Sequence, residues 1–287
     1  MQNIKLFIDL TRLNRPIGYM LLFWPCLWGL ALAYDFNEDI NLFLFYSFLF
    51  FAGSVLMRSA GCIVNDIVDR NFDKSVERTK NRPIASGKVS VSIASIYVII
   101  LCSFAFLVLI NFNYLTIVLA MASMPLAFTY PLMKRFTYWP QLFLGITFNY
   151  GIILGWTSIN SDISLAIIVF YIGAIFWTLG YDTIYGFQDI VDDEVIGLKS
   201  TSIKFKHNPK LFLSVCYFLV IICFLVSGLI LNLNKFYFMG LIFLSLHLFY
   251  FQILKLDRFN PGACLQIFKS NNTFGIIALI TILVGKI

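Results

Sequence analysis

Nine apolar runs follow one another along the chain, each about the 20 residues that a helix needs to cross a hydrocarbon core of roughly 30 Å. They lie near 17–34, 41–64, 91–110, 114–133, 138–157, 163–185, 211–231, 235–254 and 270–286. The runs are continuous and lack the alternation over about ten residues that marks a membrane β-barrel. Each therefore predicts a helix that satisfies its own backbone hydrogen bonds inside lipid. Two are less regular: Pro125 and Pro131 interrupt the fourth, and residues 269–273 give the ninth a polar start. The expected fold is all-α, a polytopic membrane protein of about nine transmembrane helices in one bundle, forming a single domain over residues 1–287.

Composition agrees, since 60% hydrophobic and 13% charged residues exceed what a soluble core requires. Nine crossings put the termini on opposite faces, and the basic residues choose between them. With the N-terminus cytoplasmic, 18 of the 21 Lys and Arg fall on the cytoplasmic side. Lys235 and Lys286 fall opposite, and Arg58 lies within the second span. The opening "MQNIKLFIDLTRLNRP" has no apolar core with a small-residue cleavage site, and it holds Asp9 and no serine. A bacterial inner membrane is the expected location. The six cysteines form no CxxC pair and are assigned to packing. His207 and His247 stand alone and receive no chemistry.

Acid is concentrated. Of 15 Asp and Glu, eight occupy two windows, "NDIVDRNFD" at 65–73 and "YDTIYGFQDIVDDE" at 181–194. Each window follows a span that returns to the cytoplasm. The pairs Asp69/Asp73 and Asp189/Asp193 have the same i, i+4 spacing and lie 120 residues apart, a weak internal repeat of halves 17–133 and 138–254 followed by a final helix. At 100° per residue, Arg58, Asn65, Asp69 and Asp73 share one helical face within about 80°. Asp182, Tyr185, Asp189 and Asp193 are expected to do nearly the same on the sixth helix, with Asp66 and Asp192 off these lines. Solvated loop acids would be the plainer reading. Against it stand the registers, their inward extension to Arg58 and Asp182, and the placement of acid at helix C-termini, which the macrodipole disfavours by about 0.3–1 kcal/mol per group.

Converging carboxylates need a cation, and carboxylate and amide oxygens suit Mg²⁺, which completes its shell with water and substrate phosphate. The neighbouring loops supply phosphate partners: "ERTKNRPIASGK" at 77–88, Lys134 and Arg135 after span four, and "GLKSTSIKF" after the second window. Positive-inside loops are also basic for topological reasons alone. Nucleic acid is not an expected partner, because the cations are dispersed and the aromatic residues belong to the spans. A divalent metal, diphosphate clamps and an oily helical chamber together suit a lipid diphosphate.

At these residues the chain resembles the intramembrane aromatic prenyltransferases. "NDIVDRNFD" is similar to their first aspartate-rich motif, NDxxDxxxD, and "DTIYGFQDIVDD" to their second, DxxxxxxDxxxD. The 4-hydroxybenzoate polyprenyltransferase subgroup of ubiquinone synthesis is similar at "RPIGYMLLFWPCLWGL", "LMRSAGCIVND", "RTKNRPIASG", "YPLMKRFTYWPQLFLG" and "GLKSTSI", and weakly at "NNTFG". The resemblance implies a nine-span bundle with a cytoplasmic-facing active site and a lateral opening to membrane lipid. It implies polyprenyl diphosphate and 4-hydroxybenzoate as substrates. By motif position, Asn65 and Asp69 would bind one Mg²⁺ and Asp189 and Asp193 another, with Asp66 and Asp73 supporting that shell. Arg78, Arg82, Lys134, Arg135 and Lys199 match the diphosphate-binding cations, followed by Arg70 and Lys80. Arg58, two turns deeper than Asn65, is the expected partner of the acceptor carboxylate, and Asp182 and Tyr185 of its phenol. Two rivals remain at this stage: another aromatic acceptor such as a naphthoate, and, from a different class, a cation-coupled transporter.

Overall fold

The computed structural model describes residues 2–287, with side chains from residue 4 onward, and it is helical throughout, with no strand among the described residues. The first half holds α1 (Gln2–Thr11), α2 (Ile17–Ala33), α3 (Ile40–Asp73), α4 (Val91–Leu109) and α5 (Tyr114–Thr129), then a 3₁₀ turn (Tyr130–Leu132) and α6 (Met133–Phe136). The second half holds α7 (Pro140–Asn149), α8 (Gly151–Thr157), α9 (Leu165–Gly186), α10 (Ile190–Ile196), α11 (Thr201–Lys204), α12 (Pro209–Ile230), α13 (Lys235–Leu246) and α14 (Pro261–Lys286). Most long helices begin where a short polar side chain meets an apolar run. Asp39, Ser90, Asn113, Ser164, Asn234 and Asn260 each accept a hydrogen bond from a backbone N–H of the first turn.

Seven helical stretches are long and apolar enough to span a membrane, and the chain is a multi-pass membrane protein. They are α3, α4, α5 with its extension to Phe136, α9, α12, α13 with the π-helical turns His247–Leu254, and α14. Two of the nine expected spans differ from that description. The first, α2, has 17 residues, and the fifth is divided at Tyr150 into α7 and α8. Here α2 and α8 cross with backbones almost touching, as small residues allow between membrane helices. A Cβ on Gly29 would stand 2.1 Å from the carbonyl oxygen of Ile152, and one on Gly155 would stand 2.2 Å from that of Cys26. The polar start expected of the ninth span lies inside α14 instead. Asn271 is buried there and accepts from Trp177 Nε1 at 2.8 Å and Gln252 Nε2 at 3.0 Å, so helix–helix hydrogen bonds absorb its polarity.

The main core gathers around Trp28, whose ring meets Phe170, Trp177, Phe224 and Phe274. Large apolar side chains such as Phe48, Ile99, Leu229 and Phe243 point outward instead, as a lipid-facing surface requires.

Helix length explains where the acid goes. The 34 residues of α3 extend about 51 Å at 1.5 Å per residue, well beyond a hydrocarbon core of roughly 30 Å. Its C-terminal third, carrying Asn65 to Asp73, overhangs the apolar part. The second window departs from the expected continuous stripe. Ser202 Oγ donates to Thr183 O at 2.8 Å, the carbonyl that a further α-turn would use, and Phe187 N turns to Ile184 O at 3.3 Å. The helix therefore stops at Gly186, Asp189 lies in the turn, and Asp193 begins afresh on α10.

Candidate active site

The overhanging end of α3, the end of α9, α10 and the cation-bearing segments enclose a cavity of about 300 Å³. Arg58, Asn65, Asp182, Tyr185, Asp189 and Asp193 line it together with Arg78, Arg82, Lys134 and Lys199. Residues from five separate segments thus meet at one place. The cavity shares Arg58, Tyr130 and Phe148 with a second chamber of about 400 Å³, lined chiefly by apolar side chains of α2 to α5 and α8.

Cations already attend the carboxylates. Lys134 Nζ donates to Asp69 Oδ2 at 2.5 Å, and Arg135 Nη2 lies 3.7 Å from Asp69 Oδ1. Arg78 grips Asp189 with both Nε, at 2.6 Å, and Nη2, and its Nη1 donates to the Tyr185 hydroxyl at 3.4 Å. Burial works against the Arg78 charge, but the bonds to Asp189 and Tyr185 outweigh it and raise its pKa. Asp193 has no ion-pair partner among the described residues, and burial, with the charge of Asp189 next, pushes its carboxyl up to about 6. Lys199 Nζ donates to Phe136 O at 3.3 Å and its backbone N–H to Lys134 O at 2.9 Å, which ties the segment after α10 to α6.

Other expected site residues stand apart from the cavity. Asp66 is 1% exposed and accepts from Arg12 Nη2 at 2.5 Å and Arg82 Nη1 at 3.1 Å. Asp73 accepts from the same Arg82 nitrogen at 2.9 and 3.0 Å. These two acids hold the basic loop against α3. Arg135 turns back to donate to Val68 O at 2.8 Å and covers the Phe72 ring. Arg70 is exposed and donates to Ile67 O, and Lys80 pairs with Glu77 on the surface.

Arg58 sits where the polar cavity meets the apolar chamber, over the Phe148 ring at 5.5 Å, and its buried Nε has no hydrogen-bond partner. Arg12 was not singled out by the sequence reading. It occupies the left-handed region (φ 56°) just after α1, a position that glycine usually takes, and its guanidinium reaches Asp66. Tyr181, 1% exposed with an unpartnered hydroxyl, also lines the cavity. Its place on α9, one residue before Asp182, was the only available signal.

The donor set fits a metal that shares its shell with a phosphorylated ligand. Among the described residues, no three His, Cys, Asp or Glu side chains converge to hold an ion by themselves. Two separated sets, Asn65 with Asp69 and Asp189 with Asp193, match the one or two carboxylates that Mg²⁺ takes beside substrate oxygens. Asp69 Oδ1 is buried without a hydrogen-bond partner, a hard acceptor left open on the first set.

The sequence profile of the UbiA prenyltransferase family matches residues 22–276. The 4-hydroxybenzoate polyprenyltransferase, mitochondrial, of Dictyostelium discoideum is 40% identical over 99% of this chain, which spans 61% of that protein's length. The 4-hydroxybenzoate geranyltransferase 1 of Lithospermum erythrorhizon is 39% identical over 100% of this chain and 92% of its own. A solved UbiA homolog from Archaeoglobus fulgidus, bound to GPP and Mg²⁺, superposes with a TM-score of 0.70 at 19% identity, covering 98% of each chain. With Asn65 of the first motif and the aspartates of the second lining one cation-rich cavity, and a profile match over most of its length, the chain belongs to the UbiA prenyltransferase family.

Proposed function

We propose that this chain transfers a polyprenyl group from polyprenyl diphosphate to the ring carbon of 4-hydroxybenzoate meta to its carboxylate, releasing diphosphate, as a step of ubiquinone biosynthesis. One observation carries the reading. The polar cavity, lined by Asn65 of the first motif and by Asp182, Asp189 and Asp193 of the second, abuts the apolar chamber at Arg58, Tyr130 and Phe148, which gives one molecule a place for a charged head and an oily tail. Relatives named for the same acceptor, about 40% identical over nearly the whole chain, support it.

Asn65, Asp69, Asp189 and Asp193 would hold Mg²⁺, which supplies positive charge to the diphosphate oxygens. Arg78, Lys134 and Lys199 add fixed cations on the same side of the cavity, where negative charge grows as the allylic C–O bond lengthens. Arg58, with an unpartnered Nε at the junction, takes the acceptor carboxylate and sets the ring against the allylic carbon. The ring carbon forms the new C–C bond, the C–O bond to diphosphate breaks, and the displaced ring proton passes to Asp182. Tyr185, bonded to Arg78, orients that arginine and presents its ring to the acceptor. In this reading the N-terminus and the cavity face the cytoplasm of a bacterial inner membrane, a topology supported by the 18 basic residues that it gathers on one side.

Acids gathered at one end of the helices, beside cations, form no path across the bilayer, which argues against a cation-coupled transporter. The test is product analysis with the purified chain, Mg²⁺ and polyprenyl donors of several lengths. Prenylated 4-hydroxybenzoate with stoichiometric diphosphate is expected. Turnover of a hydroxynaphthoate in its place would favour a different aromatic acceptor.

A further inference from the structure

A third cavity, of about 940 Å³, lies on the far side of the Arg12–Asp66 pair. It opens between α1, the basic loop 77–88 and the start of α14. It shares Arg12, Arg15, Ile17, Arg78, Arg82, Tyr185 and Phe268 with the polar cavity, so the two are neighbours across a common wall. Its charge is lopsided: Arg12, Arg15, Arg78, Arg82, Lys88 and Lys269 line it against Asp9 and Asp66. Arg12 and Arg82 are engaged by Asp66, and Arg78 by Asp189. Arg15, Lys88 and Lys269 have no ion-pair partner among the described residues.

The inner end of this vestibule is aromatic. The rings of Tyr185 and Phe268 lie 4.4 Å apart at the shared wall. Unbalanced cations outside and ring faces inside suit a small aromatic anion better than an alkyl tail, which the apolar chamber on the other side of Arg58 accommodates. A charged cleft also raises the local concentration of an oppositely charged solute and its association rate, by roughly 10-fold or more.

We propose that this vestibule is the port through which the water-soluble aromatic carboxylate reaches the reaction cavity, separate from the lipid-side chamber that holds the prenyl tail. Lys88 and Lys269 steer the anion to the mouth, and the Tyr185–Phe268 wall passes it inward. The two substrates thus approach Arg58 from opposite sides. The proposal rests on the acceptor reading given above.

The experiment compares the purified full-length chain with the double variant Lys88→Gln/Lys269→Gln, whose two positions line the vestibule and not the reaction cavity. Initial rates are measured at low and high salt with 4-hydroxybenzoate or donor varied, alongside direct titration of 4-hydroxybenzoate binding. The acceptor KM at low salt is expected to rise about 3- to 10-fold, with matching weakening of direct binding, while donor KM and kcat stay within about twofold. High salt should erase most of the difference, and Lys88→Arg/Lys269→Arg should behave as wild type. An unchanged acceptor KM and unchanged direct binding at low salt would overturn the port. So would weaker product inhibition by free diphosphate with acceptor KM unchanged, which would make the vestibule a diphosphate exit. Wild-type protein that binds 4-hydroxybenzoate in a Lys88- and Lys269-dependent way without prenylating it would sink the acceptor reading and leave the port standing.

Discussion

The two acidic motifs share an i, i+4 pairing but are mounted on different supports. The first rides the overhang of a helix about 51 Å long, and the second lies beyond the end of a 22-residue helix, about 33 Å, that only just spans. The first is therefore rigid and buried, with Asp66 and Asp69 each 1% exposed and Asp73 6% exposed. Its carboxylates are held by cations from the turn after α1, the basic loop and α6. The second is split by the turn after Gly186, with Asp189 held by Arg78 and Asp193 without an ion-pair partner among the described residues. One motif is a wall of paired acids, and the other leaves one carboxylate, Asp193, outside any ion pair among the described residues. Similar spacing in sequence does not make the two halves of the site equivalent.

The comparison can be broken most directly at the paired carboxylates. Asp69→Ala and Asp189→Ala are each expected to lower turnover by about 100-fold or more, as loss of a group that stabilises developing charge does, about 3 kcal/mol. Near wild-type rates in either would remove that acid from the site. Stability should separate the motifs next. Asp66→Ala strands Arg12 and half-frees Arg82, so thermal unfolding in detergent should show a loss of about 2–3 kcal/mol. Asp192→Ala, at a position with no ion-pair partner among the described residues, should cost under about 0.5 kcal/mol. Equal losses would mean that the first motif is no more preorganised than the second.

A subtler difference appears with pH. The Asp193 carboxyl is raised from 3.8 to about 6, so its charged form is the disfavoured one in the folded protein. In chelator, stability of the wild type should fall as pH rises from about 4 through 6, by about 2 kcal/mol at most, and stay lower above that window. Asp193→Asn should flatten this dependence and unfold at higher temperature than wild type at pH 7. A parallel pH profile in the variant would exclude Asp193 as the strained acid. The smallest effects are expected at Arg70 and Lys80. Both side chains lie outside the cavity, and Arg70→Ala and Lys80→Ala should leave turnover within about twofold. A 10-fold loss in either would mean that the basic loop rearranges around the diphosphate.

The stripe Arg58, Asn65, Asp69 and Asp73 was legible in the sequence because α3 runs unbroken through all four, so spacing converts directly into direction. The corresponding stripe on the sixth helix was not. Its interruption comes from Ser202, which lies 19 residues from Thr183 and takes that residue's carbonyl. Arg12 escaped notice for a related reason, since its partner Asp66 is 54 residues away and only the docking of α1 brings them together. Asp66, expected to lie off the ligand stripe and support the metal shell, accepts from Arg12 and Arg82.

What the sequence determined by itself was the helical membrane class, the length of each run, and the gathering of acid and base at one end of the spans. These follow from a local rule: in hydrocarbon each helix must satisfy its own backbone, so run length and charge placement are read segment by segment. Which cation meets which carboxylate was decided only by tertiary structure. Arg78 reaches Asp189 across 111 positions and Lys134 reaches Asp69 across 65. Pairings of that range depend on how separate segments pack, here the docking of the basic loop against the turn after Gly186 and of α6 against the end of α3.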